Sequence, residues 1–232
     1  MGISLFSRAA GAVLLALLAF ASAPAWTASP KTLDEAMSHD GLRKVRVKGI
    51  DAAYVRPGAN LAEYKRVEVD PVEVAFHKSW DPSKPGSALK LSSSERESIR
   101  TGVAKLVQEE FVRALGADGG YRVVDEAGPD VLRVRVNVVN LYVTAPDTGN
   151  SMGRSPTYIV SAGEMTLFAE LIDSESGEVI ARVVDRREAR GLGPMMVSSG
   201  TYNQGEARAI AAGWARVLRK ALDNAHGISG GR

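Results

Sequence analysis

The sequence predicts an α+β fold, a two-layer sandwich in which two helices pack on one face of a mainly antiparallel sheet of about five strands. Two segments carry apolar residues at helical spacing, and five others alternate apolar and polar residues as strands do. These elements follow one another in the order β-α-β-β-β-β-α, which favours helices segregated to one side of a sheet.

Residues 1–25, before the first element, are predicted to be a signal peptide. Arg8 supplies a positive charge, residues 9–20 are apolar or small, and Ala23-Pro24-Ala25 offers a cleavage site after Ala25. We therefore expect an exported protein, with the periplasm as its destination. The alternative is a leader retained as a membrane anchor, since residues 9–28 carry no charge. Because the chain has no cysteine, we expect neither a lipid anchor nor a disulfide.

The composition is that of one globular domain without unusual charge. Of 232 residues, 45% are hydrophobic and 24% are charged, which excludes general disorder. Removal of Arg8 with the leader leaves 28 of the 29 Lys+Arg against 27 Asp+Glu, a net charge of +1. Nothing in this balance predicts a nucleic-acid partner, and no stable membrane span is expected after cleavage.

The mature chain is predicted to begin with an irregular segment, residues 26–61, in which Thr32 and Glu35 cap one helical turn. A single domain follows over residues 62–226, and residues 227–232 form a flexible tail. Its first strand, Tyr64–His77, changes phase at Pro71. A proline lacks the N–H that a central ladder needs, so we expect a bulge near a sheet edge there.

Two amphipathic helices are predicted from capping boxes followed by apolar residues at helical spacing. Ser94 and Glu97 open the first helix, which ends at Gly116. Asn203 and Glu206 open the second helix, which continues through Leu222. The other face of this helix is basic, and we interpret it as a solvated surface in preference to a site for an anionic partner: Arg208, Arg216, Arg219 and Lys220.

Four strands are predicted between the helices: Tyr121–Asp125, Val131–Val143, Glu164–Asp173 and Glu178–Glu188. In the second of them, apolar side chains alternate with Arg133, Arg135 and Asn137, which indicates a sheet covered on one side only, and the phase changes near Val139. Residues 173–177 end in a glycine and predict a hairpin between the last two strands.

Several of these segments together resemble the bacterial envelope family catalogued as domain of unknown function 3313. The resemblance extends over roughly residues 41–223. It implies an exported, often lipid-anchored protein with no established activity, and this chain departs from it in lacking the lipobox cysteine. The matching segments are Ala53–Gly58, Tyr64, Asp70–Phe76, Trp80–Pro82, Ala162–Leu167, Asp173–Gly177 and Asp185-Arg186-Arg187.

A search for chemistry predicts no catalytic, cofactor-binding or metal-binding residue. His39, His77 and His226 lack ligand spacing, and neither a Gly-x-Ser-x-Gly elbow nor a phosphate-binding glycine loop occurs. A calcium site at residues 173–178 is less favoured than a hairpin turn. Arg133 and Arg135 are candidates for a binding stripe, although charged residues are also usual on solvated strands.

Two long connections, residues 144–161 and 189–202, predict a binding surface, because loops of this length are often functional. Arginine, tyrosine and methionine are enriched at protein interfaces. We therefore hypothesise a partner-binding patch on these loops, against the alternative of plain surface loops. The patch consists of Arg154, Tyr158, Arg190, Met195, Met196 and Tyr202.

The sequence therefore favours an exported, non-catalytic periplasmic protein that binds another envelope component, either a protein or a glycan. The alternatives are a small-ligand-binding protein and a periplasmic hydrolase that uses carboxylates such as Asp147, Glu164 or Glu170. The adaptor class predicts a flat patch, whereas the enzyme class predicts a cleft with convergent polar groups.

Overall fold

The computed structural model describes residues 33–80, 92–143, 163–188 and 200–228. Within these ranges the chain forms three α-helices and one mixed sheet of eight strands. The helices are α1 (Leu33–Ser38), α2 (Ser93–Gly116) and α3 (Gly200–Ala225). The strands are β1 (Arg43–Val45), β2 (Ala52–Val55), β3 (Arg66–Val69), β4 (Glu73–Phe76), β5 (Arg122–Val123), β6 (Val131–Val143), β7 (Gly163–Asp173) and β8 (Val179–Glu188).

The strand order across the sheet is β1-β2-β8-β7-β6-β3-β5, and β4 also pairs with β6. The strand pairs β1–β2, β2–β8, β8–β7 and β7–β6 are antiparallel, as predicted for most of the sheet. By contrast, β3 and β4 run parallel to β6, and β5 runs parallel to β3. The parallel part arises because α2 carries the chain back across the sheet between β4 and β5. A parallel pair needs such a crossover connection.

The prediction of about five strands was too low. Two of the additional strands, β1 and β2, lie in the part of the chain predicted to be irregular. They are three and four residues long, and all three residues of β1 are exposed, so neither strand shows the alternation by which a strand is recognised. Pairing of β2 with β8 brings both into the sheet.

A third additional strand results from a break at Pro71. The predicted strand 64–77 is divided into β3, opposite Val131–Val134 of β6, and β4, opposite the later part of β6. The Asp70 N–H donates to the Val134 carbonyl (3.0 Å) just before the break, at the last point where the chain can pair before the proline. Of the two strands, only β4 lies at an edge, since β5 flanks β3.

The main core lies between α2, α3 and one face of the sheet, which confirms the predicted packing of both helices on one side. The alternate residues Leu132, Val134, Val136 and Val138 of β6 point into it and are fully buried. They belong to the same cluster as Phe111 and Leu115 of α2 and Trp214 and Leu222 of α3.

The other face of the sheet is partly covered, which differs from the prediction of a fully open face. Met37 of α1, Leu42 and Tyr54 form a second, smaller core there. Phe168 of β7 and Val184 of β8 pack against it. The cover therefore lies over the β2, β8 and β7 side, while the strands β6 and β3 remain outside it.

The predicted backbone irregularities are present. The change of phase near Val139 is a β-bulge between Val139 and Tyr142, where Asn140 has a φ of 54°. Asparagine is one of the residues that tolerate this left-handed conformation. The predicted hairpin between β7 and β8 closes through the Gly177 N–H and the Asp173 carbonyl (2.9 Å), and Gly177 has a φ of 72°.

Both predicted helix starts were displaced. The capping box of α2 is formed by Ser92 and Glu95: the Ser92 Oγ accepts from the Glu95 N–H (3.2 Å), and the Glu95 carboxylate accepts from the Ser92 N–H (2.8 Å). The helix α3 begins at Gly200, three residues before Asn203, so the second predicted capping box is wrong.

The basic face of α3 is only partly a solvated surface. Arg208 forms an ion pair with Glu110 of α2, whose side chain is fully buried. The Arg219 guanidinium pairs with Asp223 and also donates to the carbonyls of Leu115 and Ala117, at the carboxyl end of α2. These arginines therefore join the two helices, whereas Arg216 and Lys220 are exposed, as predicted.

Candidate functional site

The candidate site is a row of ion pairs on the sheet face opposite α2 and α3. It crosses the strands β3, β6, β7 and β8, because residues two apart on a strand share a face and paired strands bring such faces into line. We call this row the open-face ladder. Its members are Asp70, Arg133, Arg135, Glu170, Arg182 and Asp40.

One half of the ladder consists of Asp70, which follows β3, and Arg133 and Arg135 of β6. The Asp70 carboxylate accepts from Arg133 Nε (2.7 Å) and from Arg135 Nε (3.2 Å). Arg135 Nη1 then donates to Glu170 (3.1 Å), which lies directly opposite it on β7. Each carboxylate here is thus shared between two guanidiniums.

Arg182 forms the other half, toward α1. Its Nε donates to Glu170 (2.8 Å) and its Nη2 donates to Asp40 (2.6 Å). Its Nη1 donates to the His39 carbonyl (3.0 Å) and also contacts the His39 ring. Hydrogen bonding from the Arg182 guanidinium holds the pKa of Asp40 below its usual value.

Exposure differs sharply along the ladder. The side chains of Arg133 and Arg135 are each 40% exposed, whereas those of Asp70 and Glu170 are 10% and 13% exposed. Arg182 is 6% exposed beneath the turn that contains Asp40. The surface available to a partner is therefore the pair of guanidiniums on β6, held in place by covered carboxylates.

The chemistry that this row can perform is recognition. Three carboxylates and three guanidiniums balance in charge, and every carboxylate is paired with an arginine. A general acid at neutral pH needs a raised pKa, whereas the hydrogen bond from Arg182 lowers the pKa of Asp40. Planar guanidiniums instead suit bidentate binding of carboxylate, phosphate or vicinal hydroxyl groups.

The carboxylates named for a hydrolase have equivalent partners. Glu164 accepts from two nitrogens of Arg186 (2.6 and 2.7 Å), and this hydrogen bonding lowers the Glu164 pKa. Glu170 belongs to the ladder. Asp147 lies outside the described residues.

The residues of the predicted loop patch lie largely outside the described ranges. Arg154, Tyr158, Arg190, Met195 and Met196 are among the residues that the structure does not describe. Tyr202 lies in the first turn of α3, so its assignment to a loop was wrong.

The described strand ends show where the two long connections leave the sheet. Val143, the last residue of β6, lies opposite Gly163, and Glu188, the last residue of β8, lies opposite Glu164. Both long connections therefore leave the sheet at the same end. We call this the loop end of the sheet.

The histidines have no common site. His39 lies beside Arg182, and His226 is beside the Tyr121 hydroxyl. The His77 Nδ1 contacts the Oγ (2.7 Å) and the N–H (3.2 Å) of Ser79, two residues later in an exposed turn. A local turn explains this contact without a nucleophile and base.

The described residues also contain no group of three or more potential metal ligands. At the hairpin considered for calcium, Asp173 accepts from the N–H (2.8 Å) and the Oγ (2.7 Å) of Ser176. Tyr64 donates to its other oxygen (3.1 Å). Asp173 therefore serves the turn and its anchoring to the neighbouring loop.

A family model for a protein of unknown function, DUF3313, matches residues 34–218. The chain belongs to this family. The match includes all the segments on which the predicted resemblance rested, from residue 53 to residue 187, and it includes every member of the open-face ladder. Among curated proteins, none matches the chain.

The chain is also similar to solved structures of low identity, of which three are described. The PelC dodecamer from Paraburkholderia phytofirmans is 14% identical, with 77% of this chain and 98% of that chain covered and a TM-score of 0.38. A lipoprotein described as putative from Caulobacter crescentus CB15 is 12% identical, with 74% and 96% covered and a TM-score of 0.33. A neuraminyllactose-binding hemagglutinin homolog, also described as putative, from Helicobacter pylori is 11% identical, with 73% and 91% covered and a TM-score of 0.31.

Sequence reasoning identified Arg133 and Arg135 but missed their partners. The predicted hairpin offered one signal, since its register places Glu170 opposite Arg182. Asp70 offered none, because its pairing depends on a parallel strand that lies more than 60 residues away along the chain. The pairing of Asp40 could not be predicted either, because Asp40 and Arg182 are far apart in the sequence.

Proposed function

We propose that this member of the family is an exported, non-catalytic protein of the periplasm that binds another envelope component, a protein or a glycan. The observation that carries the proposal is the uncovered part of the sheet. There Arg133 and Arg135 present half-exposed guanidiniums over carboxylates that the same arginines neutralise. Such a surface can bind polar groups through the N–H groups of its guanidiniums.

Hydrogen bonds hold the exposed arginines of the ladder in position, which favours binding. Its exposed arginines are held at Nε by Asp70, and Asp70 is held by the backbone at the end of β3. Side chains that are already ordered lose less conformational freedom when a partner binds. Arg133 and Arg135, held in this way, are therefore expected to contribute specificity as well as contact area.

The loop patch remains part of the proposal as a second contact region. Its two connections leave the sheet at the loop end. We propose that Arg154, Tyr158, Arg190, Met195, Met196 and Tyr202 bind the same envelope component as the ladder.

The experiment is crosslinking in intact cells that express the tagged full chain, followed by mass spectrometry of each envelope fraction. The ladder variant is Arg133→Lys with Arg135→Lys, which keeps the charge beside Asp70 but removes the planar fork. The loop variant is Arg154→Ala with Tyr158→Ala. A matched control, Arg100→Lys with Arg122→Lys, changes two exposed arginines away from the ladder.

We expect one specific partner that is recovered with the parent and the control and is reduced at least about tenfold in the ladder variant. Loss in the loop variant alone would assign binding to the loops. Unchanged recovery in both variants would contradict the proposed surfaces. Absence of any partner from the parent would contradict binding to a protein and leave glycan binding, tested by pull-down on isolated cell-wall polymer.

The alternative of a hydrolase makes a different prediction. The purified protein would cleave an envelope polymer, and Glu164→Gln or Glu170→Gln would abolish the cleavage. The hydrogen bonds from Arg186 weigh against Glu164 in this class, because they lower the pKa of its carboxyl group. Cleavage that depends on either residue would replace the binding proposal. A soluble small ligand that protects the protein from thermal unfolding would favour the third class.

A further inference from the structure

The edge strand β1 and the turn after it carry an unusual run of basic residues. Residues 43–48 read Arg-Lys-Val-Arg-Val-Lys, so four of six positions are cationic. All four of these side chains are exposed. We call this set the basic edge: Arg43, Lys44, Arg46 and Lys48.

Three members of the basic edge have no anionic partner in the described parts of the chain. Lys44 pairs with Asp34 of α1 (2.6 Å). No ion pair or hydrogen bond joins the side chains of Arg43, Arg46 or Lys48 to any described group. The arginines of the open-face ladder are all paired, so the basic edge is a local surplus of positive charge on a chain with a formal net charge of only +2.

The position of the basic edge along the chain points to a membrane. Residues 9–28 carry no charge, and only 14 residues separate Ala28 from Arg43. The helix α1, which begins at Leu33, is joined to β1 by a short turn at residues 39–42. The basic edge is thus the part of the sheet nearest, along the chain, to the segment predicted to engage the membrane during export.

A second copy of the chain is a poor occupant of this edge. Antiparallel pairing of two β1 strands would bring Arg43 and Lys44 of one copy close to the cations of the other. Like charges placed opposite one another destabilise a strand pair. An exposed edge that carries such charges is protected from this kind of association.

We propose that the basic edge is a docking surface for the anionic headgroups of a phospholipid bilayer. Headgroup phosphates accept charge-assisted hydrogen bonds from guanidinium and ammonium groups. Each Lys or Arg close to an anionic surface increases partitioning about fivefold, and the attraction decreases with ionic strength. This inference goes beyond the proposed function, because it concerns where the protein resides and not which component its ladder binds.

The experiment is vesicle sedimentation of the protein purified from cells that express the full chain. Vesicles of phosphatidylglycerol mixed with phosphatidylcholine are compared with vesicles of phosphatidylcholine alone, at low and high salt. The test variant is Arg43→Gln, Arg46→Gln, Lys48→Gln. The matched control, Lys105→Gln, Arg216→Gln, Lys220→Gln, removes the same charge from exposed positions on α2 and α3.

We expect the parent and the control to prefer the anionic vesicles and to lose that preference at high salt. The test variant should lose a factor on the order of 100 in the ratio of partition coefficients. Because the ratio compares two vesicle types, a retained apolar leader would contribute equally to both and would not imitate the effect. Circular dichroism and the Tm check that each variant is folded.

Three results would overturn the proposal. Equal losses in the test variant and the control would mean that net charge, and not the basic edge, determines partitioning. A test variant that keeps the parent's ratio but aggregates would assign these residues to edge protection alone. Equal binding of the parent to soluble polyglutamate would indicate a general polyanion site. Failure here leaves the envelope-partner proposal standing, because the crosslinking test uses other residues.

Discussion

At the scale of single residues, Asp185 determines how the sheet meets α3. It is 1% exposed and lies in the Asp185-Arg186-Arg187 segment that carried part of the family resemblance. Its carboxylate accepts from Trp214 Nε1 (2.7 Å), from the Asp51 N–H (3.0 Å) and from Arg187 Nε (2.6 Å). One side chain thereby joins β8, the turn before β2 and the helical layer.

We predict that Asp185→Asn lowers the free energy of unfolding by about 2 to 4 kcal/mol. The asparagine side chain has nearly the same shape as aspartate, but it carries no charge to pair with Arg187. Its NH2 group would also replace one acceptor oxygen and face N–H groups that themselves need an acceptor. Urea unfolding followed by tryptophan fluorescence measures the change. Asp125→Asn, at an exposed position, should change stability by no more than about 0.5 kcal/mol. Equal effects of the two substitutions would show that the Asp185 contacts contribute nothing.

Tyr121 gives the folded state a characteristic dependence on alkaline pH. Its hydroxyl donates to Asp223 (3.1 Å), and burial, with this hydrogen bond to a carboxylate, raises the pKa of Tyr121 to about 12. The unfolded chain has a tyrosine pKa of about 10. The neutral phenol therefore contributes stability that is fully present below about pH 10 and is lost as the pH rises toward 12.

We predict that the free energy of unfolding falls less steeply above pH 10 in Tyr121→Phe than in the parent, by at most about 1.4 kcal/mol per pH unit. Urea unfolding at several pH values between neutrality and pH 11 measures the slopes. The control, Tyr142→Phe, changes an exposed tyrosine and should keep the parent's slope. A parent and a Tyr121→Phe variant with parallel curves would contradict the assignment.

At the scale of elements, the two ends of α2 are stabilised differently, the first by local sequence and the second by a tertiary contact. Two overlapping sequences, Ser92 with Glu95 and Ser94 with Glu97, both have capping-box spacing. The chain uses the first, and Glu97 forms an ion pair with Arg100 instead. The carboxyl end of α2 is completed from outside, by Arg219 of α3.

We predict that Ser92→Ala destabilises the protein by about 1 kcal/mol, because one N–H of the first turn loses its acceptor. Ser94→Ala, within that turn, should cost less than about 0.5 kcal/mol. Urea unfolding of both variants, beside the parent, distinguishes the two boxes. A larger loss of stability for Ser94→Ala than for Ser92→Ala would instead favour the predicted capping box of Ser94 and Glu97.

At the scale of the whole molecule, β6 is the centre of the fold. It pairs with β7 on one side and with β3 and β4 on the other, and its inward residues are fully buried by the helices. The edge strand β1 has one partner, β2, and three exposed residues. Local opening should therefore require far less free energy at β1 than at β6.

We predict that native-state hydrogen exchange is slowest in β6, where amides such as those of Val134 and Val136 exchange only through global unfolding. Amides of β1 should exchange at least about a hundredfold faster. Exchange measured by mass spectrometry on peptic fragments gives both rates in one experiment. Similar protection of the two strands would contradict the assignment of β1 as an exposed edge.

Among the described helices, none combines the length and the apolar character needed to cross a lipid bilayer. The basic edge proposed above would act at a membrane surface by charge, and it shares no residue with the ladder. The exposed arginines of the ladder, Arg133 and Arg135, lie on β6, whereas the basic edge lies on and after β1 at the edge of the sheet. A protein that docks at a bilayer would keep the ladder free for its partner.

Periodicity in the sequence was sufficient to predict α2, α3, the strand β6 with its two faces, and the hairpin that follows β7. These features depend on neighbours within a few residues, since an amphipathic face or a turn is a local property. Membership of the family was predicted for the same reason, because it rests on runs of adjacent residues such as Asp70–Phe76.

The tertiary structure alone decided which strands pair in parallel, that short exposed strands such as β1 join the sheet, and that Asp70 and Asp40 neutralise arginines of the ladder. Each of these depends on residues distant in the sequence that come together only when the chain closes on its core. A strand of three or four residues is too short to show a periodic sequence pattern. An ion pair between distant residues leaves no local pattern in the sequence at all. The physical reason is that pairing energy depends on proximity in space, which local sequence does not encode.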